Sequence, residues 1–268
     1  MANRKRRSSS TTRALLVTVL VVVGIILLLM YLKRQNQTAA PEITGFNYLP
    51  SVHNGFVVQH QHYTLSYVEE HEQAEWVAYE LTEAEVRSNV ADRTDDFRED
   101  PFIVTGSASL NDYRRSGYDR GHLAPAGDMG FSQEAMSESF FMSNMSPQNR
   151  AFNRGVWKDL EEDVRDWAVA NSRLYVVTGP VFGSNPKKIG ENGVSVPDYY
   201  YKVLLDYQEP EVKAIAFLLP NENASESPRA FAESIDNIEA YTGVDFFPEL
   251  PDELEEKLES NTSTEGWF

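Results

Sequence analysis

Asp119-Arg120-Gly121-His122-Leu123-Ala124-Pro125-Ala126-Gly127-Asp128-Met129 is the stretch on which the fold turns. It is polar, punctuated by glycine, and sets an Arg two residues before a His. On a strand that spacing points Arg120 and His122 to one face. An imidazole with its ordinary pKa of about 6.5 can act as a base at neutral pH, and a neighbouring guanidinium can clamp an anion. Taken alone, such a pair also arises by chance. Working outward, Ser143-Asn144-Met145-Ser146-Pro147-Gln148 reads as a loop ahead of the best helical pattern, Asn153 to Ala170. There Val156, Leu160, Val164, Trp167 and Ala168 recur at three- and four-residue steps. Asn153 opens that helix and Glu161 follows eight residues on. Their net angular offset is about 80°, so both can look into one cleft. An amide oxygen and a carboxylate are hard donors suited to Mg²⁺ or Ca²⁺. A helix cap and a solvated helix charge would use the same two residues.

Read together, DRGHLAPAGDM, SNMSPQ and NRGVWKDLE resemble the DNA/RNA non-specific endonuclease family, the endonuclease G-like nucleases with a ββα-metal active site. WVAYELT at Trp76–Thr82, DFREDP at Asp96–Pro101, VVTGP at Val176–Pro180 and VPDYYYKV at Val196–Val203 follow in the family's order. So does IDNIEAYTGVDFFPELPDELEEKL at Ile235–Leu258, and the likeness runs over about residues 53–259. The resemblance implies hydrolysis of phosphodiester bonds in DNA and RNA without sequence or sugar preference, leaving 5′-phosphate and 3′-hydroxyl ends. His122 matches the general base that activates water. Asn153 matches the single protein ligand of a catalytic Mg²⁺, for which Mn²⁺ could substitute. Glu161 matches the carboxylate that holds metal-bound water. Arg120 and Asn144 match cleft residues that support the phosphate and the site geometry. An upstream arginine also binds phosphate in the family; Arg93 is the candidate here and Arg98 the next. Family members are often dimers, so a homodimer is a further implication. A catalytically silent nucleic-acid-binding receptor of the same fold is the alternative.

The 268 residues carry a formal charge of −17 and no cysteine. That excludes a disulfide scaffold, a thiolate metal site and a cysteine nucleophile. The charge argues at first against a phosphate-polymer partner. It is unevenly spread, however: residues 1–40 hold seven bases and no acids, and 206–268 hold three bases and sixteen acids. Residues 87–165 hold ten bases, nine of them Arg, against fourteen acids. With that central stretch still net acidic, substrate binding is expected to be modest and to weaken with salt.

Ala14–Leu32 is an uncharged run of 19 residues, preceded by five bases and followed by two. As a helix it would span roughly 28 Å, about a bilayer core. The positive-inside rule then gives a single-pass membrane protein with a cytoplasmic N-terminus and the rest on the periplasmic or extracytoplasmic side. Thr38-Ala39-Ala40-Pro41 could instead hold a signal-cleavage site. The expected organisation is a basic segment at 1–13, a transmembrane helix at 14–32, a linker at 33–50, one catalytic domain at 51–260 and a frayed tail at 261–268.

Strands are expected at Gly55–Tyr67, Trp76–Leu81, Arg173–Pro180, Tyr199–Leu205 and Val212–Leu219, with helices at Ser132–Met142, Asn153–Ala170, Phe231–Tyr241 and from Pro251. No βαβ rhythm links them. The fold class is therefore α+β, a mixed, largely antiparallel central sheet flanked by helices. His60 and His62 would share one face of the first strand, a spacing that can bind metal but lacks a third ligand; two surface histidines would look the same.

Overall fold

The computed structural model describes residues 46–51, 54–208 and 211–268. The expected transmembrane helix, its basic flank and most of the linker lie outside the described residues. Among the described residues, no helix is long and apolar enough to cross a membrane.

Strands β1 (Phe56–Gln59), β2 (Thr64–Val68) and β3 (Gln73–Thr82) form an antiparallel meander. Helix α1 (Glu83–Arg87) follows at once. The Thr82 hydroxyl accepts from Glu85 N while the Glu85 carboxylate accepts from Thr82 N, a reciprocal cap. The chain then leaves the sheet for a long insertion. It carries α2 (Leu110–Tyr113), β4 (Asp119–His122), α3 (Gln133–Glu138), β5 (Met145–Gln148), α4 (Arg150–Arg154) and α5 (Val156–Ala170). Strand β6 (Arg173–Val181) returns beside β3. A short hairpin, β7 (Lys188–Ile189) and β8 (Val194–Ser195), precedes β9 (Tyr199–Asp206), β10 (Lys213–Pro220) and β11 (Ala232–Glu233). Helices α6 (Ile235–Thr242) and α7 (Asp252–Glu259) close the chain.

The large sheet runs β1-β2-β3-β6-β9-β10-β11 with every neighbour antiparallel. The expected α+β class with a largely antiparallel sheet is the one observed. Alternation along each strand supplies two apolar faces, and helices cover both. Val77, Tyr79, Leu81, Val176, Tyr200 and Leu204 meet Val156, Trp157, Leu160 and Val164 of α5 on one face. Trp76, Ala78, Val177, Tyr201 and Val203 meet Ile235 and Ile238 of α6 and Leu258 of α7 on the other. Each Leu or Val buried there stabilises by roughly 1.5–3 kcal/mol. Strands β4 and β5 pair only with each other, and α4 and α5 follow directly. This ββα unit hangs on the α5 side of the sheet.

Several expected boundaries are corrected. Gly55–Tyr67 is two strands, because the chain turns at residues 60–63, where His60 N donates to Tyr63 O at 2.9 Å. His60 and His62 sit in that turn on separate carboxylates, His60 Nε2 3.0 Å from Asp100 and His62 Nδ1 2.7 Å from Glu138. They share no metal geometry. The helix at 132–142 ends at Glu138, and a 3₁₀ turn at Met142–Asn144 follows. Asn153–Ala170 is two helices: a Cβ on Gly155 would come 2.7 Å from Ala151 O, so the chain closes tightly there. Asn153 therefore belongs to α4, which Asn149 caps by accepting from Ala151 N. The helix at 231–241 starts only at Ile235, since Ala232 and Glu233 pair with β10.

The packed residues extend beyond both expected ends of the domain. Phe46, Tyr48 and Leu49, assigned to the linker, pack on the second core face, with the Tyr48 ring 4.7 Å from that of Tyr175. The expected frayed tail is packed as well: Trp267 is buried, and its carbonyl accepts from Trp167 Nε1 at 2.5 Å. Aromatic side chains cover apolar surface that the sheet and helices leave open.

Candidate active site

The site is built from the β4–β5 pair outward. Asp119 stands opposite Gln148, and His122 opposite Met145. Gly121 lies between Arg120 and His122, where an added Cβ would fall 2.0 Å from Gln148 Cδ. Only a bare backbone lets the Gln148 side chain cross there. Beyond His122 the chain is latched by Asn144, which is fully buried. Its side-chain oxygen accepts from Ala124 N at 2.9 Å, and its amide donates to Ala124 O at 2.9 Å and Ser139 O at 2.8 Å. Asn144, expected in the cleft, is thus a buried brace behind it. It holds the segment that presents His122.

Two aromatic rings that the sequence did not single out frame His122. Phe140 meets His122 edge-on with centroids 5.0 Å apart, and Phe97 meets Phe140 edge-on at 4.8 Å. The Arg93 guanidinium lies 4.9 Å over Phe140, and the Arg120 guanidinium 4.0 Å over Phe97. His122 and two arginines therefore share one aromatic box, in which cation–π contacts hold the guanidinium groups flat. His122 is buried, and among the described residues its Nε2 has no hydrogen-bond partner. Burial, then the charges of Arg93 and Arg120, push its pKa down to about 3. The imidazole is neutral at physiological pH, the form that can accept a proton.

In front of this box lies a cleft of about 700 Å³. Arg93, Arg114, Arg120, Arg150 and Arg154 line it, against Asp95 and Asp119. Asp119 lies 2.8 Å from Arg154 and 3.4 Å from Arg150. Burial raises its pKa, but hydrogen bonds from Arg154 and Asn153 and the two arginine charges outweigh that and hold the carboxyl below its ordinary value. Arg93 reaches the cleft and pairs with Asp95 at 2.7 Å. Arg98 does not line it; its guanidinium donates to Asp96 and Ser137 and lies 4.2 Å over Phe141.

Asn153 lines the same cleft. Its amide donates weakly to Asp119 at 3.4 Å, and its side-chain oxygen has no partner among the described residues. Glu161 lies one helix further on and does not line the cleft. Arg93 ties it to the site, because that guanidinium acts on both His122 and Glu161. Burial pushes the Glu161 carboxyl up to about 7, against the pull of Lys202. Lys202 is fully buried on β9, donates to Thr178 Oγ1 at 2.7 Å and lies 4.9 Å over the Trp157 ring. Burial pushes its ammonium down to about 8, opposed by Glu161 and Asp128. Asp128 in turn accepts from Tyr79 at 2.7 Å and pairs with Arg165 at 2.8 Å. Sequence reasoning missed this buried charge chain, although Asp128 lies inside the opening stretch and Arg165 one turn after Glu161.

The donor set suits a divalent ion. Asn153 offers an amide oxygen on the cleft and Glu161 a carboxylate in the next helix, and among the described residues His122 Nε2 and the Gln148 amide are buried without hydrogen-bond partners. Buried polar atoms left so are the signature of a site completed by water or an ion.

The family model for DNA/RNA non-specific endonucleases matches residues 47–253. The chain is 34% identical over 202 residues to human "Endonuclease G, mitochondrial", covering 70% of this chain and 68% of that protein. It is 35% identical over 204 residues to zebrafish (Danio rerio) "Nuclease EXOG, mitochondrial", covering 70% of this chain but only 60% of that protein's length. A solved structure of the EndoG/EndoGI complex matches with a TM-score of 0.70 at 32% identity, over 76% of this chain and 89% of that one.

Proposed function

The chain belongs to the DNA/RNA non-specific endonuclease family, and from that premise we propose a membrane-anchored endonuclease that hydrolyses DNA and RNA with one Mg²⁺ and a His122 base. The single observation that carries the reading is His122, buried and neutral between two arginines that open into a cationic cleft. Arg120 and Arg93 bind the scissile phosphate, where a guanidinium fork matches two phosphate oxygens. His122 Nε2 takes a proton from the attacking water, an action that contributes roughly 10²–10⁴-fold. Asn153 would hold the divalent ion through its amide oxygen, and Glu161 would orient water around it. When bound, the ion supplies Lewis-acid stabilisation of the phosphate and of the leaving oxygen. Glu161 is matched to that task because desolvation disfavours its carboxylate charge, which a cation would relieve. Bases take no part in these contacts, so DNA and RNA of any sequence are substrates, with 5′-phosphate ends as products.

The uncharged run at 14–32, with bases on either side, supports a single-pass anchor with the catalytic domain away from the cytoplasm. The test is digestion of plasmid and RNA by the detergent-solubilised chain, with Mg²⁺ and with EDTA. His122→Ala should lose roughly 10²–10⁴-fold in rate while keeping its circular dichroism. A folded variant cutting at the wild-type rate would remove the proposal. Nucleic-acid binding without turnover under Mg²⁺ or Mn²⁺ would favour the silent receptor.

A further inference from the structure

The C-terminal flank, residues 206–268, holds sixteen acids against three bases. The fold gathers five of those acids into one place. Asp236 and Glu239 are three residues apart on α6, and Glu255 and Glu259 four apart on α7, so each pair shares a helix face. Asp245 comes from the connection between the helices. A ligand oxygen from each of Asp236, Glu239 and Glu259 lies within 4.8 Å of the others. Like charges so placed are destabilising unless something compensates them. Among the described residues, none of the five forms an ion pair with Lys, Arg or His.

Two hydrogen bonds reach the cluster from its surroundings: Glu239 accepts from Phe246 N at 2.8 Å, and Asp245 from Ser51 Oγ at 2.5 Å. Glu259 differs. It is only 8% exposed, and among the described residues its buried Oε1 has no hydrogen-bond partner. An ionised oxygen left unpaired in that position is costly, by roughly several kcal/mol for an uncompensated ion. Burial and the four neighbouring carboxylates push Glu259 up to about 8, and burial with Asp245, Asp236 and Glu255 pushes Glu239 up to about 7.

We propose that Asp236, Glu239 and Glu259 form a structural Ca²⁺ site that fastens α6 to α7, with Asp245 and Glu255 adding charge around it. All the donors are hard oxygens, the ligands Ca²⁺ takes, and a cluster drawn from two helices tolerates its irregular geometry. Mg²⁺ demands near-ideal octahedral ligation and sheds water reluctantly, so the site favours calcium. Ile238 and Leu258 pack beneath the helices on the sheet face opposite α5, so this site is separate from the arginine cleft. Its effect is on stability. Three protein carboxylates and a partly open rim set the affinity at roughly 10⁻⁴–10⁻³ M.

The test uses the full, detergent-solubilised chain stripped with EDTA and dialysed against calcium. An Asn153→Ala background removes the proposed active-site ligand. That chain should bind about one Ca²⁺ more than the same chain carrying Glu259→Gln or Glu239→Gln. Millimolar Ca²⁺ should raise the melting temperature of the Asn153→Ala chain by a few degrees, Mg²⁺ should raise it less, and neither carboxamide variant should respond. Both variants should melt in EDTA no lower than their parent, because each removes a repelling charge; that distinguishes a lost site from a lost fold. Equal calcium binding with and without Glu259→Gln and Glu239→Gln overturns the proposal. So does the absence of binding and of any melting shift in all the chains, which would mean that protons alone neutralise the cluster.

Discussion

At the scale of the residue, the proposed chemistry rests on side chains whose protonation the fold has moved. His122 is held down to about 3 and Glu161 up to about 7. If catalysis needs a neutral His122 and an ionised Glu161, the acid limb of activity belongs to Glu161. At limiting metal, kcat/KM should fall as the pH drops through about 7, where Glu161 takes up its proton; His122, already neutral there, adds no limb above about pH 5. Raising Mg²⁺ favours the carboxylate and should move the limb to lower pH. Rate profiles at two metal concentrations check this; a limb at about 6.5 that ignores metal would contradict it. The linked stability effect has a definite sign. Because the folded pKa of His122 lies below its ordinary 6.5, the stabilising contribution of the neutral ring is present above that pH and is lost as pH falls towards about 3. The arginines separate equally clearly. Arg93→Ala should raise KM about tenfold by losing a charge-assisted phosphate contact. Arg98→Ala should leave KM within about twofold and lower the melting temperature instead, since Arg98 braces Asp96 and Ser137. Steady-state kinetics and thermal melts on the two variants decide between these roles. Arg120 and His122 were legible as a pair two residues apart. Phe97 and Phe140 were not, because an aromatic ring gives no sign in sequence of which charge it will lie against.

At the scale of the element, the ββα unit depends on two close approaches. Gly121 lets Gln148 cross β4, with no room for a methyl group at 2.0 Å from Gln148 Cδ. Gly121→Ala should therefore destabilise by roughly 1–3 kcal/mol, as overpacking does. It should also lower kcat, because the displaced strand carries His122. Chemical denaturation and kinetics measure the two effects; unchanged values in both would remove Gly121 from this account. Gly155 divides what periodicity reads as one helix into α4 and α5. The apolar pattern from Val156 onward was read correctly, and the cap was not. Asn153 precedes the break, so the angular argument linking it to Glu161 along one continuous helix does not hold. The two residues belong to successive helices and are related by the tight turn between them. The strand reading at Gly55–Tyr67 failed similarly, since β-branched and aromatic residues mark strand content without marking the turn at residues 60–63.

At the scale of the whole molecule, the net charge of −17 conceals the cleft. Five arginines converge on it, Arg93 from the loop after α1, Arg114 from just beyond α2, Arg120 from β4 and Arg150 and Arg154 from α4, while α6 and α7 of the acidic C-terminal flank pack on the opposite sheet face. Two of the five are already paired with Asp119 and one with Asp95, so about two or three phosphates should be neutralised at a time. Duplex binding should then fall with a log–log salt slope of about −2 to −3. Binding measured from low to physiological salt checks the slope; a value near zero would mean that the cleft does not contact the backbone. The sequence by itself determined the α+β class, the antiparallel sheet and the family, because strand alternation, helical periodicity and ordered motifs are local properties of the chain. Only the tertiary structure decided the rest. It turned Asn144 into a buried brace, drew the presumed linker end and tail into the core, and set Lys202 beside Glu161. It also gathered the carboxylates of α6 and α7 into one cluster. Burial and distance between residues far apart in sequence govern these features, and both exist only once the sheet has closed.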